Sequence, residues 1–237
     1  MPAYWNSKRI CEPEIMDSRP VSDEEMRVGL KFLRKTNQFF GGNRIILNYL
    51  NEFSKSWDKN KPIHILDVGC GLGDIPLAIL DWAKLQGYKI KMTGIDLIPQ
   101  ITQIAKEHTS KNLNIEIKTG DIFLENIEPN SYDYVTASLF LHHLEDTQLN
   151  LALKKFDHIS RRGIIISDLR RSTLSYWAVT FVSNLFGNEM VKHDGPLSVR
   201  RAFTFSELEN LATRNELSYL KTRVEPFFRL SLAGEKT

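Results

Sequence analysis

Residues 64–80, HILDVGCGLGDIPLAIL, set an apolar, β-branched run beside three alternating glycines and a second apolar run. A strand, a glycine turn and a helix in that order put the turn at the carboxyl end of the first strand, where open α/β sheets bind ligands. The spacing nearly meets the dinucleotide pattern G-x-G-x-x-G. Gly69 and Gly71 fall in place, but the third position is Asp74, with Gly73 just before it. Pro76 follows in the first helical turn, and Asp74 is placed to be the N-cap of that helix. A carboxylate there would occupy the N–H groups that bind a pyrophosphate, and would repel it. With Asp67 as a second acid, the turn suits a ligand that carries positive charge.

Downstream, strand and helix patterns alternate. IHILDV (63–68), KIKMTGID (89–96), NIEIKTGD (114–121), YDYVTASLFL (132–141) and RGIIISDL (162–169) read as strands. IPLAILDWAKLQ (75–86), PQITQIAKEHT (99–109) and a segment over 145–159 read as helices between them. That alternation predicts a parallel sheet covered on both faces. Beyond Leu169 come an apolar helix over 172–187, a long loop GNEMVKHDGPLSVRRAF, and a helix opened by the capping box Thr204-Phe-Ser-Glu207. LSYLKTRV and FFRLSLAGE close the chain as an antiparallel pair at one sheet edge. Upstream, residues 1–20 read as irregular, broken by Pro2, Pro13 and Pro20. Residues 22–57 read as helical, with a capping box at Ser22–Glu25 and a break at Gly41–Gly42.

With those residues in place, the sequence resembles the class I S-adenosylmethionine (SAM)-dependent methyltransferases. Their first motif, acidic-x-Gly-x-Gly-x-Gly, matches Asp67-Val-Gly69-Cys-Gly71-Leu-Gly73. Asp96 ends the second strand in GIDL, beside Leu97, and an acid there can accept both ribose hydroxyls. GDI (120–122) ends the third strand, and the resemblance implies that Asp121 pairs with the adenine amino group while Ile122 packs on the ring. SYDYVTASLFLHHLED (131–146) resembles the family's fourth strand and the turn after it, and brings Ser138 to the cofactor. The resemblance covers roughly 60–170. It implies a Rossmann-like, seven-stranded, mostly parallel sheet with an antiparallel edge strand, helices on both faces and an N-terminal helical lid. It also implies SAM as cofactor and S-adenosylhomocysteine as its product. Residues 1–58 are the expected lid, and 59–237 the SAM-binding domain, with 170–203 as an insertion on the substrate side.

Methyl transfer is an in-line displacement, so the protein must hold the acceptor on the methyl axis, exclude water and, where needed, accept a proton. His142 and His143 follow the fourth strand on the ligand side, and a histidine suits deprotonation of a phenol. Arg170 and Arg171 follow the fifth strand, while His193, Arg200 and Arg201 fall in the expected loop over the site. Converging arginines can clamp a carboxylate or phenolate. An internal salt-bridge network with Asp168 and Asp194 is the competing reading for them. These segments resemble a bacterial branch of the superfamily tied to aromatic polyketide or phenolic lipid chemistry. Asn37, Phe39, Phe40 and Gly41 fall where such proteins cover the cofactor's methionine end. For the apolar segment 174–186, core packing is expected ahead of binding to an apolar substrate or a membrane surface.

Composition removes other classes. The 237 residues carry a net charge of +2 and no extended basic stripe, so no nucleic acid partner is expected. Two cysteines, Cys11 and Cys70, make no disulfide framework, no apolar run reaches membrane-spanning length, and a cytoplasmic location is expected. No metal is expected, because Asp168 alone is thin for a metal-assisted catechol enzyme. The leading expectation is transfer of a methyl group to a small aromatic or polyketide-like acceptor, at oxygen. A quinone-type C-methyltransferase, whose LHHL-like turn is shared, and a non-catalytic SAM-binding protein are the alternatives. An NAD-dependent dehydrogenase is disfavoured by Asp74. Oligomeric state is left open.

Overall fold

The computed structural model describes residues 8–18 and 20–236. The expectation for residues 1–7, Pro2 included, lies outside the described residues. In chain order the strands are β1 (Ile63–Val68), β2 (Ile90–Asp96), β3 (Ile115–Thr119), β4 (Tyr132–Ser138), β5 (Ser160–Leu169), β6 (Lys221–Glu225) and β7 (Arg229–Glu235). They form one sheet in the order β3-β2-β1-β4-β5-β7-β6. The first five run parallel. The antiparallel strand is β7, inserted between β5 and the edge strand β6.

Period-two alternation decides which face each strand residue covers. Ile164 and Ile166 of β5 join Leu66, Val135 and Phe156 on one face, whereas Ile165 joins Ile65, Tyr134, Leu50 and Ile79 on the other. Both faces are therefore apolar, and both are covered by helices. These are α1 (Ile15–Ser18), α2 (Asp23–Phe39), α3 (Gly42–Phe53), α4 (Asp74–Gln86), α5 (Pro99–Thr109), α6 (Asp146–Ile159), α7 (Thr173–Phe186), α8 (Glu189–Arg201) and α9 (Phe205–Arg214). The first of them falls inside the stretch that reads as irregular. Its backbone is stabilised from elsewhere in the chain: the Asp194 carboxylate accepts from the N–H groups of Ile15 (2.8 Å) and Met16 (3.1 Å).

The capping signals act locally. Ser22 accepts from the Glu25 N–H, and Thr204 and Glu207 complete a reciprocal box. Gly41, at φ 72°, separates α2 from α3. At the end of the sheet away from the ligand side, buried Asp133 accepts from the His64 N–H (2.9 Å), Arg161 (2.7 Å) and Arg162 (2.9 Å). That cluster ties β1, β4 and β5 together.

Two local expectations are corrected. The segment 189–201 is helical, although Gly195 and Pro196 read as a loop. Asn188 caps it by accepting from the Val191 N–H, and Pro196 is accommodated inside the helix. Gly195 permits a close crossing with α7, since a Cβ there would run into Ser183 Oγ. Nor is the apolar segment 174–186 core. Only Ser175 and Ser183 of α7 are fully buried, and Leu174, Trp177, Phe181, Leu185 and Phe186 are exposed. Among the described residues no helix is long and apolar enough to cross a membrane.

Candidate active site

The glycine turn after β1 has three positive φ angles, 67° at Gly69, 50° at Gly71 and 78° at Gly73, which glycine adopts without steric cost. Their surroundings differ. A Cβ at Gly69 would lie 2.7 Å from the Phe140 ring, and one at Gly73 would lie 2.8 Å from Thr109 Cγ2. At Gly71 a Cβ would meet nothing within 4 Å. Gly71 therefore presents bare backbone to open space, the wall of a cavity of about 340 Å³ at the carboxyl ends of β1, β2, β3 and β4.

Among the described residues five aspartates line this cavity, Asp17, Asp67, Asp74, Asp96 and Asp121, and no lysine or arginine does. Asp67, on β1, is buried and accepts from Thr136 Oγ1 at 2.7 Å. Burial, together with Asp74 and Asp96, pushes its carboxyl up to about 8 despite that hydrogen bond. Asp96, ending β2, crosses the glycine turn. Its Oδ2 accepts from the Gly71 N–H (3.0 Å) and its Oδ1 from the Ile98 N–H (3.2 Å), and burial raises its carboxyl as well. Asp121 accepts from the Phe123 N–H at 2.9 Å. Leu97, Ile122 and Ser138 complete the expected set along the same cavity, while Gly73 faces Thr109 and lies off it.

The reading of Asp74 as N-cap is corrected. Gly73 holds that position, and Asp74 is the first residue of α4. Its Oδ2 is buried without a hydrogen-bond partner, as is Ser138 Oγ. Two unpartnered buried polar atoms, an open backbone cradle and a lining rich in aspartate fit a nucleoside that carries a cationic tail better than a pyrophosphate. SAM, with its sulfonium and ammonium groups, meets each of these conditions.

A second cavity, of about 200 Å³, adjoins the first. Both are walled by Met16, Leu33, Leu139 and His143. The second is lined largely by apolar residues of α2, α7 and α8, together with Phe227 and Phe228 of the β6–β7 turn. Leu139, Phe227 and Phe228 have φ of 55°, 56° and 61°, uncommon for residues with a Cβ, so strained backbone frames this space. Asn37 lines the first cavity and Phe40 the second, while Phe39 points to solvent and Gly41 lines neither.

Few polar groups enter the second cavity. His142 is buried, and its Nδ1 pairs with Asp168 Oδ1 at 2.6 Å. His143 stands at the junction, its Nδ1 paired with Asp17 Oδ2 at 2.6 Å. Burial works against its charge, but Glu14 and Asp17 outweigh that and raise it to about 9. Burial also works to raise Asp168, yet His142 holds its carboxyl below the ordinary range. Arg229, the first residue of β7, is fully buried, and its Nη1 has no partner while Nη2 donates to Asn37 Oδ1 at 2.6 Å. Burial lowers this guanidinium to about 10.

Arg170, Arg171, His193, Arg200 and Arg201 line neither cavity. Within the 189–201 helix only Arg201 among these residues is buried and held by other parts of the chain. Arg201 donates to the carbonyls of Glu12, His142 (3.0 Å) and His143 (2.6 Å). Arg171 donates to the Ala202 carbonyl and pairs with Glu207, both at 2.5 Å. Arg170 and Arg200 are exposed, and His193 pairs with Asp194 at 2.8 Å. Arg229 and Glu14 reach the second cavity without any local sequence signal. Each comes from an end of the chain and meets the turn after β4 only through the fold.

Residues 65–163 match a family model described as a methyltransferase domain. The chain is 27% identical over 186 residues to a demethylmenaquinone methyltransferase of Staphylococcus aureus, spanning 73% of this chain and 74% of that one. Among solved structures it is similar to a SAM-dependent methyltransferase from Aquifex aeolicus, with a TM-score of 0.61 at 15% identity, over 92% of this chain and 100% of that one. It is similar also to the plantazolicin methyltransferase BpumL in complex with SAH, with a TM-score of 0.65 at 16% identity, over 91% and 96% of the two chains. At these identities the two structures establish a shared fold.

Proposed function

We propose that the chain is a SAM-dependent methyltransferase that moves the methyl group to a small, largely apolar acceptor, aromatic or polyketide-like, with an acidic hydroxyl oxygen as the receiving atom. The observation that carries this reading is the second cavity, which meets the first at Leu139 and His143. SAM supplies an electrophilic methyl group on a sulfonium. Asp96 and Asp121 would hold its nucleoside, and Asp67 and Asp74 its cationic tail. The apolar residues of α2, α7 and α8 take the acceptor's body out of water. The unpartnered Nη1 of Arg229 favours an acceptor with an anionic or strongly polarised oxygen. His142, oriented by Asp168, and His143 are the polar groups offered to the reacting atom at the junction. In this reading the described part of the segment before β1 acts as cover, since Met16 and Leu33 wall both cavities.

A second reading keeps the donor site and places the methyl group on carbon of a quinone-type ring. The demethylmenaquinone methyltransferase relative favours it. A SAM-dependent methylation screen over phenols, quinols and acidic polyketides, read by mass, tests the proposal. An O-methylated product has lost an ionisable hydroxyl, whereas a C-methylated one retains it. SAM should raise the melting temperature, and Asp96→Ala should abolish that shift. Absence of product across these classes, with no acceptor raising the melting temperature of the SAH-bound protein, would overturn the acceptor assignment.

A further inference from the structure

We propose that Glu14, His142 and His143 form a binding site for one divalent metal ion of the zinc type, at the junction of the two cavities. One ligand atom from each residue can be chosen so that all lie within 4.8 Å of one another, and His142 Nε2 is 3.7 Å from Glu14 Oε1. Two imidazoles and one carboxylate are a donor set that binds zinc at catalytic sites and leaves a coordination position open.

The surroundings of the donors carry the inference further than their proximity. Each imidazole has its Nδ1 taken by an aspartate at 2.6 Å, His142 by Asp168 and His143 by Asp17. That arrangement leaves both Nε2 atoms as the free ligand atoms, and it matches the carboxylate–histidine–metal pattern that fixes ring orientation and raises ligand basicity. Glu14 is likewise oriented, accepting from Ser198 Oγ at 2.8 Å. The turn bearing the histidines is rigidly held. Asp168 Oδ2 accepts from the His142 N–H (3.2 Å), and Arg201 and Arg9 donate to the carbonyls beside it. Glu14, His142 and Asp168 are buried, and burying three such groups together is costly unless a cation or proton offsets the charge.

All three donors line the acceptor cavity, so the open position faces the acceptor. This deepens the proposed function and rests on it only for the chemical consequence. A hydroxyl oxygen bound at the open position becomes more acidic and releases its proton to water. Its lone pair then forms the O–CH3 bond as the CH3–S bond breaks, and that electron pair leaves with sulfur. The histidines would act as ligands in that case, not as a free base.

Metal binding can be tested without an acceptor or SAM, which separates its failure from failure of the functional reading. Full-length protein is stripped with a chelator and titrated with Co2+, following the visible ligand-field bands, with Zn2+ as competitor and elemental analysis for stoichiometry. One Co2+ per chain should bind, be displaced by Zn2+, and be lost in Glu14→Ala and His143→Ala. Asp17→Asn removes only the partner of His143 at a partly exposed position, and should weaken affinity by about 10–100-fold. Circular dichroism confirms that each variant is folded. The proposal is overturned if stripped wild-type protein takes up Co2+ no more tightly than folded Glu14→Ala. Uptake that Asp17→Asn, Glu14→Ala and His143→Ala all leave unchanged would also overturn it, by placing the ion elsewhere.

Discussion

Gly71→Ala separates a glycine kept for a ligand from glycines kept for the fold. At Gly71 the added Cβ meets no protein atom within 4 Å, so the structural cost is the left-handed backbone alone, φ 50°. That is about 1–2 kcal/mol, and a chain of this size loses about 2–4 °C in melting temperature per kcal/mol. The methyl group enters the cavity assigned to SAM. Overpacking a filled site costs about 1–3 kcal/mol, which corresponds to about a 5- to 150-fold loss of affinity. Gly73→Ala is the control. Its Cβ would lie 2.8 Å from Thr109 Cγ2 at φ 78°, so strain and overpacking both fall on the folded protein, away from the cavity. Titration calorimetry with SAH, beside thermal melts of the ligand-free variants, should give opposite rankings. Gly71→Ala loses more affinity and Gly73→Ala loses more stability. If Gly71→Ala binds SAH as tightly as wild type, the cavity has been assigned to the wrong ligand.

The raised carboxyl of Asp67 makes ligand-free stability fall with rising pH. Between about pH 4 and pH 8 the folded protein retains a proton that the unfolded chain has released, so each pH unit in that window removes up to about 1.4 kcal/mol. Urea melts across the window should show a shallower slope for Asp67→Asn, and an unchanged slope would refute the assignment. Asp133→Ala removes a buried carboxylate and leaves the half-buried N–H of His64 without its partner, and should cost about 1–3 kcal/mol. SAH affinity should be unaltered, because Asp133 sits at the opposite end of the sheet; calorimetry showing a large affinity loss would contradict that. Arg229→Met should weaken binding of acidic acceptors by about 10- to 150-fold, the value of a hydrogen bond to a charged group. Neutral analogues should bind as before, and equal losses for both kinds, measured as KM, would remove Arg229 as the oxyanion contact.

The lining of the first cavity was readable in the sequence because each part of it is local. Asp67, Asp96 and Asp121 each sit at or just past the end of a strand that β-branched alternation identifies, and parallel pairing brings those ends together without further information. The lining of the second cavity was not readable, for three physical reasons. Gly195 and Pro196 break the helical pattern of α8, yet the crossing with α7 needs the glycine and the helix tolerates the proline. The apolar pattern of α7 signals burial, yet its inner face lines a cavity and its outer face is exposed. Glu14 and Arg229 lie far along the chain from the histidine turn, so nothing in either one's neighbourhood marks it as a partner.

The two cavities are built from different stretches of chain. Residues 65–123 supply most of the first wall, while the second comes from 14–40 and 139–229, and only four of the described residues belong to both. Substitutions in one wall can therefore accumulate without disturbing the other. The segment that matches the methyltransferase model, 65–163, ends before α7, α8 and β7 begin. Kinship measured over that segment records the donor, and two chains alike there can take unrelated acceptors. Under the proposed assignment of the second cavity, inheritance of the acceptor is better traced through Arg229, Glu14 and the inner face of α7.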